Sequence, residues 1–124
     1  MAKTKSPLKK AKEKAWKAFS LYIRTRDGNC VTCGGASQQA GHFIDGRHNA
    51  VLFSEMGVHG QCYHCNMGLK GNKLEYFLFM EKTYGREVID RLMLESKQTV
   101  IYKTFDYVRI EQEYKDKYEA LCAK

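Results

Sequence analysis

No uncharged apolar run in this 124-residue chain approaches the roughly 18 residues that a membrane-spanning helix requires. No apolar stretch with a small-residue cleavage site follows the lysine-rich start, so a secretory signal is not expected either. Internal repeats and low-complexity linkers are also missing, which leaves no ground for separate folding domains. The chain is too short for two comfortable ones in any case. Acidic residues are scarce at one end only. Residues 1–26 hold nine Lys/Arg and the single acid Glu13, a net +8, while residues 27–124 hold twelve Lys/Arg and thirteen Asp/Glu, a net −1. The expectation is one soluble, cytoplasmic unit: a basic N-terminal helix over residues 1–26 and one further segment, 27–124.

What is present begins with that helix. Ser6 is a candidate N-cap and Pro7 suits the first helical position. Leu8, Ala11, Ala15, Trp16, Phe19, Tyr22 and Ile23 then recur at three- and four-residue steps, predicting an apolar stripe from about residue 7 to 26. Lys9, Lys10, Lys12, Lys14 and Lys17 crowd the remaining surface. A block of this charge attracts polyphosphate from a distance and has no obvious use against a neutral substrate.

Five cysteines could suggest disulfides, but four fall into Cys30-Val31-Thr32-Cys33 and Cys62-Tyr63-His64-Cys65. Paired C-x-x-C spacing in an intracellular chain predicts a metal site, and four thiolates suit structural zinc. A closed four-sulfur shell leaves no position for water. Cys122, far along the chain, reads as a small semi-apolar residue. The 28 residues between the pairs leave room for a structure of their own. Gln38–Ile44 and Ala50–Phe53 are strand-like and joined by the turn-rich Asp45-Gly46-Arg47-His48-Asn49, which predicts a hairpin. A short helix from about Cys65 to Lys70 follows, then three helices marked by Leu74–Tyr84, Val88–Lys97 and Phe105–Leu121. The predicted fold class is α+β, mainly helical. Zinc would pin the hairpin base to the short helix and let His42 and Asn66 face one another.

Hairpin, zinc and short helix, with a histidine on the strand and an amide on the helix, resemble the ββα-metal arrangement of HNH nucleases. Ala40-Gly41-His42-Phe43, His59-Gly60-Gln61-Cys62-Tyr63-His64-Cys65-Asn66 and Lys70-Gly71-Asn72 resemble the NinG (Rap) recombination proteins of lambdoid phages. That likeness covers roughly residues 25–121. The Cys62–Asn66 stretch is also similar to phage endonuclease VII, a junction-resolving enzyme of the HNH class.

The resemblance implies a divalent-metal-dependent endonuclease acting on D-loops, Holliday junctions or other branched DNA, in the host-cell cytoplasm if phage-encoded. By motif position His42 would be the general base and Asn66 a ligand for Mg²⁺ or Mn²⁺. Many HNH proteins carry Asp immediately before the strand histidine, where this chain has Gly41, and the NinG pattern often has Asn where it has Gly57. Asp45 and His59 are the candidates to replace the missing ligand. Arg47, Lys70 and Lys73 flank the site and join the N-terminal lysines as candidate DNA contacts. A homodimer through the C-terminal helices and other recombination proteins are further candidate partners. Gly41 and Gly57 support the competing reading, a zinc-bearing DNA-binding or recombination adaptor without catalysis.

Overall fold

The computed structural model describes residues 5–46 and 48–124. In chain order they form helix α1 (Pro7–Asp27), strand β1 (Gln39–His42), the one-turn helix α2 (Asn49–Leu52), strand β2 (Val58–Gln61) and a π-helical turn (His64–Gly68). Helices α3 (Lys73–Tyr84), α4 (Arg86–Glu95) and α5 (Thr104–Cys122) follow. The class is mainly helical α+β with one two-stranded antiparallel sheet. Two compact units emerge: residues up to Tyr22 together with Ile101–Lys124, and Ile23–Val100. Helix α5 thus groups with the first part of α1 and not with the cysteine-bearing segment.

In the first unit the predicted stripe is covered from Ala11 onward, while Leu8 at its start is exposed. The Ser6 hydroxyl caps α1 by accepting the Lys9 N–H at 3.1 Å. Ala11, Ala15, Ala18 and Phe19 are buried on α1, as are Tyr107, Ile110 and Tyr114 on α5. Phe19 meets Tyr114 edge-on at 4.7 Å between ring centroids, and Tyr22 packs on the same ring at 5.5 Å. Lys9, Lys10, Lys14 and Lys17 are exposed and Lys12 is half-buried, so the basic face turns to solvent.

The second unit packs Val51, Tyr76, Met80, Ile89 and Leu92 into a core, flanked by Val31, Phe43, Ile44, Phe77, Phe79, Tyr84 and Val88. Residues from α2, α3 and α4 close over the hairpin's end. Gly85, at φ 87°, turns α3 into α4 in a conformation that favours glycine.

The hairpin differs from the predicted one. Ala50–Phe53 is not a strand: Asn49–Leu52 is helical, with Val51 and Leu52 buried. A short apolar run carries no period of its own, so the two states look alike in sequence. The partner of β1 is Val58–Gln61, in the register Gln39↔Gln61, Ala40↔Gly60, Gly41↔His59 and His42↔Val58. All four β2 residues are buried, which removes the apolar–polar alternation that would have marked them. The base of the hairpin is tied to the end of α1. The Asp27 carboxylate accepts the Gly60 N–H at 2.8 Å, while Arg26 donates to the carbonyls of Glu55 and Val58 at 2.8 and 3.0 Å.

Candidate metal centre and hairpin site

Cys30, Cys33, Cys62 and Cys65 bring their sulfurs within 4.8 Å of one another, positioned to bind a metal ion. The Cys33 and Cys62 sulfurs are 3.6 Å apart, close to the edge of about 3.8 Å in a tetrahedron with zinc–sulfur bonds of about 2.3 Å. Donors surround the cluster as thiolates require. The Gly35 N–H points at Cys33 Sγ (3.4 Å) and the Cys65 N–H at Cys62 Sγ (3.3 Å), and the Asn72 amide donates to Cys65 Sγ (3.6 Å). Thr32 Oγ1 lies 3.2 Å from Cys30 Sγ. Burial pushes the Cys30 thiol up, but the Thr32 hydroxyl and three backbone N–H groups outweigh it and bring it to about 6. At Cys33 the Gly35 N–H favours the thiolate, yet the sulfurs of Cys62, Cys30 and Cys65 push it up to about 12. Cys30 gives up its proton readily while Cys33 holds on to its own, a conflict among crowded sulfurs that a cation relieves.

The pairing register sorts the hairpin side chains. Gln39, Gly41, His59 and Gln61 share one face of the ribbon; Ala40, His42, Val58 and Gly60 share the other. Asn66, from the π-helical turn, lies on the Gly41 face. Its amide donates to Gln39 Oε1 at 2.7 Å, and its oxygen sits 2.8 Å from where a Cβ on Gly41 would stand. Gln61 Oε1 crowds the same point, while Gln61 Nε2 donates to Thr32 Oγ1 (3.1 Å) and to the Gly71 carbonyl (2.9 Å). That Oε1 is buried with no hydrogen-bond partner. Two amide oxygens therefore converge in front of a residue without a side chain. His42 and Asn66 do not face one another as the sequence suggested: Asn66 faces Gly41, and His42 projects to the opposite side.

On that side the His42 Nε2 lies 3.1 Å from the Leu52 carbonyl. A carbonyl only accepts, so Nε2 carries the proton in this contact. In the neutral ring the basic lone pair is then on Nδ1. Lys73 Nζ donates to the carbonyls of His42 (2.8 Å) and Phe43 (2.9 Å) and pairs with Asp45 Oδ1 at 3.0 Å. Asp45 and Lys73, expected respectively as a metal ligand and a phosphate contact, are thus engaged with each other.

His59 is 1 % exposed, inside a ring of aromatics formed by Tyr76, Phe79 and Tyr84. The Tyr76 hydroxyl donates to the Gly41 carbonyl at 2.7 Å, and His59 Nδ1 lies 3.4 Å from the same hydroxyl. Nε2 meets the Tyr84 hydroxyl at 2.7 Å. The consistent assignment is a one-way chain: Tyr84 to His59, His59 to Tyr76, Tyr76 to Gly41. Burial disfavours the imidazolium, Asp27 opposes that and Arg26 reinforces it, leaving His59 at about 4. Both ring nitrogens of this candidate ligand are taken up by tyrosines. Lys70 is exposed at the end of the π-helical turn. Arg47 lies outside the described residues.

Several residues in this arrangement carried no signal in sequence. Gln39, Gln61, Thr32 and Tyr76 are of types found anywhere, and only their neighbours in space give them a role. Asn72 stands at the N-cap of α3 but makes no side-chain cap; its amide goes to the cysteine cluster.

Among the curated proteins and among the solved structures, none matches this chain. The family described as Bacteriophage Lambda NinG protein matches residues 2–123, nearly the whole chain, and the protein therefore belongs to the NinG family.

Proposed function

We propose that this NinG-family protein is a metal-dependent, structure-selective DNA endonuclease that acts on recombination intermediates such as D-loops, Holliday junctions and other branched DNA. The ribbon of β1 and β2, joined through the cysteine cluster to the π-helical turn, would be the ββα-metal unit of an HNH-like enzyme. The observation that carries the reading is the Leu52 carbonyl on His42 Nε2, which leaves the basic lone pair of the neutral ring at Nδ1. A neutral imidazole can take a proton from water.

Hydrolysis then runs as follows. A water loses its proton to His42 Nδ1 as its oxygen bonds to phosphorus, and the bond from phosphorus to the 3′ oxygen breaks in line. Attack and departure occur on opposite sides of the phosphorus. The His42 face of the ribbon suits the attack; Asn66, on the opposite face, does not meet the same phosphate in this arrangement. The donor set on the second side fits a hard divalent cation: Asn66 Oδ1 and the orphaned Gln61 Oε1 are neutral oxygens directed at one point. They would hold Mg²⁺ or Mn²⁺, which when bound supplies positive charge, at a buried point on the face away from His42. The lysine face of α1 (Lys9, Lys10, Lys12, Lys14, Lys17) with Lys70 would follow the DNA backbone without reading bases.

A second reading is favoured by the absence of a carboxylate at position 41. Neutral amide oxygens bind divalent cations weakly, and a protein with the cysteine cluster but no tight catalytic metal would serve as a DNA-binding recombination adaptor. Incubation of zinc-loaded protein with supercoiled, D-loop and four-way-junction DNA, in Mg²⁺ or Mn²⁺ against EDTA, separates the two. Metal-dependent cutting of branched DNA supports the nuclease. Binding without cutting under every metal condition supports the adaptor.

A further inference from the structure

We infer that Lys73 is a positioning residue for His42 and not a phosphate contact. Its three ammonium protons have three acceptors, the His42 and Phe43 carbonyls and Asp45 Oδ1, at 2.8, 2.9 and 3.0 Å. Tyr76, one turn further along α3, donates to the Gly41 carbonyl. Two side chains of one helix therefore hold three successive carbonyls of the strand end, with the His42 residue in the middle.

The placement runs against what the helix itself prefers. Lys73 is the first residue of α3, where the helix dipole disfavours a cation. Its stem crosses Gly71, where a Cβ would stand 2.8 Å from Lys73 Cε, so a left-handed glycine clears its path. The ammonium sits 5.7 Å from the Tyr76 ring centroid and the side chain is about one-third exposed. The Tyr76 ring attracts the ammonium, and against the cost of the helix dipole the arrangement fixes the backbone on both sides of the imidazole. A displacement of about 1 Å in a reacting group can cost on the order of a hundredfold in rate.

The inference rests on the nuclease reading, and one comparison tests it apart from that reading. DNA binding by wild type, Lys73→Met and Lys70→Met is measured across salt concentrations, alongside single-turnover cleavage in Mg²⁺. A lysine on a phosphate contributes about 0.9 to the slope of log K against log salt. Positioning predicts an unchanged slope for Lys73→Met, a cleavage rate lower by about ten- to a hundredfold, and a lower slope for Lys70→Met. A slope reduced by about one in Lys73→Met with the cleavage rate intact overturns it. Lys73→Gln, one bond shorter and uncharged but still a donor, regains part of the rate if the carbonyls are what matter; equal damage from Gln and Met counts against it. Should Lys73→Met fail to retain zinc, Lys73→Gln carries the slope comparison. Should wild type cut nothing, the nuclease reading fails. The inference is then judged by amide hydrogen exchange at Phe43, whose N–H donates to the Gly57 carbonyl at 2.9 Å and shares a peptide unit with the His42 carbonyl; Lys73→Gln must accelerate it, and an unchanged rate refutes the inference.

Discussion

The carboxamide oxygen of Gln61 occupies the space that a side chain on Gly41 would fill. Position 41 is therefore glycine for steric reasons, whatever chemistry a carboxylate would have offered there. Gly41→Ala should lower the stability of the zinc-loaded protein by about 1–3 kcal/mol, as overpacking of a held interior does. Urea denaturation of Gly41→Ala, Gln61→Ser and the double variant checks this. The double variant should recover part of the loss, a coupling that independent sites would not show.

His42 should be separable from the scaffold. With its ring outside the core and apart from the cysteine cluster, His42→Ala is expected to cut DNA about 10²–10⁴-fold more slowly. Zinc content by atomic absorption and junction affinity by gel shift should stay near wild type. Equal cleavage rates would remove the imidazole from its role.

The four sulfurs are expected to hold about one zinc ion per chain, bound with on the order of ten kcal/mol of folding free energy at neutral pH. Chelation, or Cys65→Ser at the buried corner, should melt the hairpin and the π-helical turn. Circular dichroism and metal analysis report it. A chain that keeps its melting temperature after zinc removal would contradict this expectation.

His59 gives a pH signature. Its folded value, about 4, lies below the ordinary 6.5, so between those values the unfolded chain binds more protons. The stabilisation is complete above pH 6.5 and is lost as pH falls through 4, a change of about 3 kcal/mol. Thiolate protonation acts in the same direction, so the measurement is the difference between wild type and His59→Gln in urea midpoints at pH 7, 6 and 5. The variant should be less stable at pH 7, and the gap should narrow towards pH 5.

The basic face of α1 should dominate the salt dependence. Replacing Lys9, Lys10, Lys14 and Lys17 with alanine is expected to lower the salt slope of DNA binding by up to about 3.6. Affinity for linear and branched DNA should fall alike, since charge without groove contacts carries no preference. A preference that changes while the slope stays fixed would place the phosphate path elsewhere.

Much of this was legible in the residues, for identifiable reasons. Helices α1, α3, α4 and α5 carry apolar positions at helical spacing, and two C-x-x-C pairs announce their own geometry. The second strand was hidden because Val58-His59-Gly60-Gln61 is buried throughout and has no two-residue rhythm. Ala50–Phe53 misled because four apolar-leaning residues fit a helical turn as well as a strand. The candidate site was legible in its types and not in its wiring. A sequence shows that Lys73 is charged, but the acceptors that absorb that charge are thirty residues away. Likewise the emptiness of position 41 was plain, while the glutamine behind it emerges only when the two strands are paired.

Lys70, Gly71 and Asn72 all adopt positive φ, at 52°, 98° and 49°, and this mirror-image stretch links the cysteine cluster to the start of α3. The Gly71 N–H is held by the Cys65 carbonyl and the Asn72 side chain by the Cys65 sulfur. Two non-glycine residues there are under conformational tension that their tether restrains. The same short stretch carries Lys73, so the metal cluster and the grip on the strand end share one anchor at Cys65.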